Sequence, residues 1–157
     1  MKLYLARHGE AVPKHINPDA PLSDNGRREA EAVAAFMAGS QAQLEQIRHS
    51  GKTRARQTAE IFAAAMGGNV NVEVMDGLDP LDPTEQVLET ILRFSGDTLI
   101  VGHLPFMGRL ADRLLSCSSA TGLVEFNTST VVCLHSANRR EWTLKWILSP
   151  ELFPPNL

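Results

Sequence analysis

Two histidines and two arginines stand where apolar runs hand over to loops or helices. Leu3, Tyr4 and Leu5 have strand character and lead at once into Ala6, Arg7, His8, Gly9 and Glu10. Thr98, Leu99, Ile100 and Val101 form an unbroken β-branched and aliphatic run that ends in Gly102 and His103. Arg54 opens a helical pattern that follows a third, weaker strand candidate at 46–49. A neutral imidazole nitrogen is a competent nucleophile toward phosphorus, because an ordinary pKa of ~6.5 leaves it largely unprotonated near neutral pH. A forked, permanently charged guanidinium suits the oxygens of the phosphoryl group under attack. An arginine in a helix's first turn opposes the helix dipole, at a cost of a few tenths to about 1 kcal/mol unless an anion is shared between them. Phosphate would be such an anion. Taken singly, Arg7 and His8 could cap a strand and Arg54 could be solvated. Two histidines placed alike, with an arginine at a third such junction, are hard to assign to core packing.

The elements that must position these residues read as an alternation of strands and helices. Strands of an α/β sheet end in crevices where ligands sit, so Arg7, His8 and His103 fall at the carboxyl edge, and Gly9 allows a sharp turn there. Residues 12–22, with Pro13, Asn17, Pro18, Asp19 and Pro21, form a loop behind His8 that is placed to line a site mouth. His15 in that loop is read as solvated. Ser23 is a candidate N-cap for a helix over 26–38, whose buried stripe is Ala30, Val33, Phe36 and Met37. A second short helical piece is expected to follow through Leu44. From Thr53 a helix steps through Ala55, Ala59, Phe62 and Met66 and stops at Gly67 and Gly68. His49, Lys52 and Arg56 around its start are read as structural or solvated.

Residues 70–75 alternate as a half-buried strand, and 76–83 form an acidic loop containing Asp76 and Asp79. Asp82, Pro83 and Glu85 predict a helix start with Asp82 as N-cap, followed by a buried stripe of Val87, Leu88, Ile91 and Leu92. After His103 a helix turns Phe106, Met107, Leu110 and Leu114 inward. A loop over 118–121 leads to strands at 123–126, 130–134 and 141–147. The last of these carries Trp142, Leu144 and Trp146 on one face, and His135 ends the strand before it. No repeat or linker interrupts the 157 residues, and one domain is expected.

The composition, 43% hydrophobic and 21% charged, is that of an ordinary globular chain. A formal net charge of −3 argues against a general nucleic-acid binder. No apolar run approaches the roughly 20 residues that span a bilayer, and no signal peptide is apparent, so cytoplasmic residence is the default. Cys117 and Cys133 lack metal-type spacing and are read as reduced thiols.

These residues resemble the histidine phosphatase superfamily, whose mark is an Arg-His-Gly triplet at the end of the first strand, here Arg7, His8 and Gly9. The resemblance continues through Pro21, Leu22, Ser23 and Gly26, through Arg54, Ala55, Gln57, Thr58 and Ala59, and through Val101, Gly102, His103, Leu104 and Pro105. Within the family, the length and the ending Trp142, Leu144, Trp146 and Pro150 are most similar to the small SixA-type phosphohistidine phosphatases of bacteria. The resemblance implies a three-layer αβα domain of phosphoglycerate mutase-like fold, with a mostly parallel central sheet flanked by helices. It implies His8 as nucleophile, with Arg7, Arg54 and His103 clamping the phosphoryl oxygens and Gly9 among the substrate-binding residues. No metal or other cofactor is implied, and a monomer is expected.

The sequence departs from the family pattern twice. Gly51 stands where many members have proline, which predicts a looser loop. No counterpart is found for the glutamate that protonates the leaving oxygen in larger members, Asp76 and Asp79 being the nearest candidates. An alkoxide needs a delivered proton, whereas imidazole leaves readily, so a clamp without an acid suits N–P bonds. The expected partner is a phosphohistidine-bearing signalling or phosphocarrier protein, such as one with a histidine phosphotransfer domain. Two alternatives are a small-molecule phosphomonoesterase using Asp76 or Asp79 as general acid, and a phosphate-binding module without turnover. Retention of both His8 and His103 argues against the last.

Overall fold

The computed structural model describes residues 1–116 and 122–154. Cys117, the predicted loop 118–121 and the tail 155–157 lie outside them. The strands are β1 (Lys2–Arg7), β2 (Gln46–His49), β3 (Asn71–Val74), β4 (Thr98–Gly102), β5 (Val131–His135) and β6 (Thr143–Leu148). The helices are α1 (Asp24–Gly39), α2 (Thr53–Ala65), α3 (Glu85–Ile91) and α4 (Phe106–Ser116), with a short 3-10 helix at Pro150–Leu152. One six-stranded sheet runs in the order β3-β2-β4-β1-β5-β6. The first four of these neighbours pair in parallel, while β5 and β6 return antiparallel.

The side-chain alternation of β1 explains the layers. Leu3 and Leu5 point into a core shared with Ile100, Phe106, Met107 and Leu110, which α3 and α4 cover. Tyr4 and Ala6 point the other way, into a core with Ile47, Leu99, Phe62 and Met37 beneath α1 and α2. Both faces are therefore dry, which is why β1 is apolar from Leu3 to Ala6 and β4 from Leu99 to Val101. Phe62 on α2 and Phe106 on α4 are fully buried, contributing about 1.5–3 kcal/mol each. They pin the helix that carries Arg54 and the helix that follows His103.

Local expectations fail where tertiary contacts outweigh pattern. Helix α3 begins at Glu85 rather than at Asp82, because the Asp82 carboxylate is used one turn earlier, accepting the Asp79 N–H at 2.9 Å. Residues 41–44 form no helix, and 123–126 form no strand. Val124 and Phe126 are nonetheless buried, and the Asp112 carboxylate holds that segment by accepting from Gly122 N and Leu123 N at 2.9 and 2.8 Å. Phe36 is exposed on α1 and meets the edge of Phe153. A bulge pairs Cys133 with Trp146 but Leu134 with Leu144, so Trp142 joins one core and Trp146 the other. Cys133 is a buried free thiol whose pKa burial pushes up to about 11.

At the junction of β1 and α1 the backbones themselves leave no room for a side chain. A Cβ at Gly26 would overlap the Glu10 backbone, whereas one at Gly39 would meet open space. Gly26→Ala is therefore expected to lower the unfolding free energy by about 1–3 kcal/mol. Gly39→Ala in parallel should be neutral or slightly stabilising. Denaturant titration of the two variants checks both.

Candidate active site

Because β1, β4 and β2 are neighbours and run in parallel, their carboxyl ends deliver His8, His103 and Ser50 to one edge of the sheet. The antiparallel β5 starts at that same edge. The main chain fixes His8 from both sides: its N–H donates to Gly102 O at 3.0 Å, and its carbonyl accepts from Ser129 N at 3.2 Å.

The ring of His8 is oriented by its neighbour. Gly9 O lies 2.7 Å from His8 Nδ1, and a carbonyl can only accept, so Nδ1 carries the proton in the neutral ring. Nε2 is then the nitrogen with the free lone pair. It accepts from Arg54 Nε at 3.2 Å. The His103 ring stands 4.9 Å away, tilted by 53°. Arg7 reaches the site with Nη1 donating to Phe126 O at 2.9 Å, while its buried Nε has no partner among the described residues.

His103 is 2% exposed. Its Nε2 lies 2.5 Å from Ser50 Oγ, and its Nδ1 is buried without a partner among the described residues. Burial lowers the pKa of this ring to about 3, with the charges of His8, Arg54 and Lys52 adding to the effect and Asp79 opposing it. Burial also lowers His8 to about 4, and Arg54 and Arg7 push the same way against the Gly9 hydrogen bond. Both rings are thus neutral at pH 7. Burial lowers the pKa of Arg7 and Arg54 as well, yet a guanidinium stays charged in a protein. Two fixed cations therefore face two neutral imidazoles, an arrangement that attracts an oxyanion and leaves Nε2 of His8 unprotonated to attack it.

The structure brings Arg7, His8, Gly9, Arg54 and His103 together as expected, with one change of part for Gly9. Its N–H is engaged by Thr58 Oγ1 at 3.0 Å, so its carbonyl orients His8 rather than its amide receiving a ligand. A Cβ there would lie 2.8 Å from Gly26 O, which is why this position is glycine. Gly51 does not loosen its loop. It adopts φ +85°, out of reach for proline, and its N–H donates to the buried His49 Nδ1 at 3.0 Å. Asp76 is exposed in the turn after β3. Asp79 pairs with Lys52 at 2.8 Å, and that bond holds its carboxyl below the ordinary range. His15 and His135 are exposed, and Arg56 pairs with Glu60 across one helical turn.

Sequence reasoning missed the supports. Ser50 contacts His103, and Thr58 links Gly9 N to Arg54 O, accepting from one and donating to the other at 2.8 Å. Gln57 accepts from Leu22 N at 2.7 Å, tying the mouth loop to α2. Glu10 accepts from Ser23 Oγ at 2.5 Å, while Ser23 caps α1 through Gly26 N. The signal available was the spacing of Thr58, one turn after Arg54 on the same face of α2. Among the described residues, no group of three or more His, Cys, Asp or Glu side chains could hold a metal ion, and no helix is long and apolar enough to cross a membrane.

Residues 3–85 match the family model of the histidine phosphatase superfamily, branch 1, and the chain belongs to that superfamily. It is similar to the phosphohistidine phosphatase SixA of Escherichia coli K12, with 26% identity over 155 residues, 96% of this chain and 94% of that protein. It is also 33% identical over 121 residues to an uncharacterized protein of Picosynechococcus, covering 73% of each. The solved structure of the protein histidine phosphatase SixA complexed with tungstate shares the fold, with a TM-score of 0.86 at 24% identity and coverage of 97% and 99%.

The depressed pKa values carry a sign. The unfolded chain takes up protons on these two histidines near pH ~6.5, before the folded protein does at about 4 and 3. Their contribution to stability is thus fully present above pH ~6.5 and declines as the pH falls toward 4. Ring resonances of His8 and His103, followed by NMR from pH 8 to 5, should scarcely titrate in the free protein. Saturating inorganic phosphate should move the His103 midpoint upward, because a bound anion favours the imidazolium.

Proposed function

We propose that this chain is a phosphatase that removes the phosphoryl group from phosphohistidine on a protein, through a phosphohistidine intermediate on His8. The observation that carries the reading is the oriented His8 ring, with Nδ1 tied to Gly9 O and Nε2 turned toward Arg54. Nε2 attacks phosphorus, the new P–N bond forms as the substrate's P–N bond breaks, and water then hydrolyses the intermediate. Arg54 gives up its bond to Nε2 and turns its donors to the phosphoryl oxygens. Arg7 and His103 complete the clamp, and each has a buried nitrogen without a partner among the described residues. Leaving such a group unpaired costs about 1–3 kcal/mol, so a side-chain shift that brings it to a phosphoryl oxygen favours the bound state. His103, neutral in the free protein, becomes a proton-bearing donor once the dianion sits beside it.

The similarity to SixA of E. coli supports a phosphohistidine substrate. The site chemistry supports it independently, since the ionised Asp79 is unsuited to protonating an alkoxide near neutral pH. A histidine phosphotransfer domain or a phosphocarrier protein is the class of partner that presents such a group.

The test uses the acid lability and alkali stability of phosphohistidine: incubation with a labelled phosphohistidyl protein, then alkaline quenching, which preserves the label. Wild type should release phosphate and carry label on His8, and His8→Ala should do neither. Arg54→Ala should lower kcat by about 10²–10³, the range for losing a donor to transition-state charge. Release by His8→Ala at the wild-type rate would refute the proposal.

A further inference from the structure

This inference rests on the phosphohistidine reading and concerns the group that departs. Lys52 and Asp79 meet at 2.8 Å, joining the start of α2 to the loop between β3 and α3. Lys52 lies two residues beyond Ser50, which touches His103, and both members of the pair act electrostatically on His103. The loop is anchored. Leu78 is buried in the core, Asp82 Oδ2 accepts from Asp79 N at 2.9 Å, and Arg109 Nη2 donates to the carbonyls of Pro80 and Asp82. The Asp79 side chain is thereby held at the mouth with 57% of its surface open to solvent.

A carboxylate there works against a phosphate dianion, and one partly exposed lysine offsets the repulsion only in part. The placement becomes favourable if the substrate brings a cation together with its dianion. Phosphohistidine can, because the second ring nitrogen takes up a proton with a pKa near that of imidazole, ~6.5. A phosphomonoester carries no such charge.

We propose that Asp79 is a specificity residue for the departing imidazole: its carboxylate accepts the N–H of the ring nitrogen that bears no phosphorus, while Lys52 faces the phosphoryl oxygens. The step balances without proton transfer. The His8 Nε2–P bond forms, the substrate P–N bond breaks with its electron pair left on the departing nitrogen, and the proton on the other ring nitrogen stays. The group leaves as neutral imidazole. This role needs an ionised carboxylate, the state Lys52 maintains, whereas a general acid needs the opposite.

The experiment measures kcat/KM of wild type, Asp79→Asn and Asp79→Glu on N-phosphoimidazole, p-nitrophenyl phosphate and glycerol phosphate at neutral pH, with spontaneous hydrolysis subtracted. Asp79→Asn should lower the value for N-phosphoimidazole by about tenfold or more, as for loss of a charged hydrogen bond. It should raise the value for p-nitrophenyl phosphate, because the repulsion is gone. Asp79→Glu should recover part of the preference for N-phosphoimidazole. Parallel losses on all three probes, or no change, would overturn the inference by giving Asp79 a merely structural part. A loss confined to glycerol phosphate would overturn it in favour of a general acid. Failure of the wild type to turn over N-phosphoimidazole while it hydrolyses the esters would overturn the phosphohistidine reading itself, and this inference with it.

Discussion

The hydrogen bond between His8 Nδ1 and the Gly9 carbonyl is the contact on which the site depends. It spans two adjacent residues, yet it holds only if the peptide after His8 is held still. Several distant parts of the chain do this. Thr58 of α2 accepts the Gly9 N–H, the Gly102 carbonyl of β4 accepts the His8 N–H, and the Ser129 N–H before β5 donates to the His8 carbonyl. Glycine at 9 and 26 lets β1 and α1 approach closely enough for these bonds to form. The sheet order places all of these contacts at one edge. Without them either imidazole nitrogen could carry the proton, and the lone pair would have no fixed direction.

Electrostatics follow from the same crowding. Arg7, Arg54 and two histidines share a partly buried space, and desolvation, reinforced by repulsion, keeps the rings neutral. In the free protein this leaves charge and hydrogen-bonding capacity unspent. A phosphoryl dianion relieves the repulsion and supplies acceptors. The site is preorganised for negative charge in the sense that its donors are held by strands and a helix before the ligand arrives. The proposed nucleophile is reactive for the same reason that it is uncharged.

What the sequence disclosed and what it hid divide along physical lines. Arg7, His8, Arg54 and His103 were legible because each directly follows a strong local pattern, a buried strand or a helix start, and the pattern predicts the edge to which it leads. The two-sided burial of β1 and β4 was legible for the same reason. Ser50, Thr58, Gln57 and Glu10 were not, since their parts consist of contacts between elements far apart in sequence and a polar residue near a helix start looks the same in either setting. Asp82 misled because its carboxylate serves a tight turn rather than the α3 cap. Trp146 misled because one bulged residue in β6 reverses every side chain beyond it. Gly51 looked like a loosened proline site, although the turn it makes requires a positive φ.

The most direct test is the position of phosphorus on the trapped His8 ring. The protein, labelled with nitrogen-15 in histidine and charged with phosphate under alkaline quench, would be examined by phosphorus and nitrogen NMR for the P–N coupling. Coupling to Nε2 of His8 is the predicted result, because Nδ1 is committed to Gly9 O. Coupling to Nδ1, or phosphorus on another residue, would contradict the account.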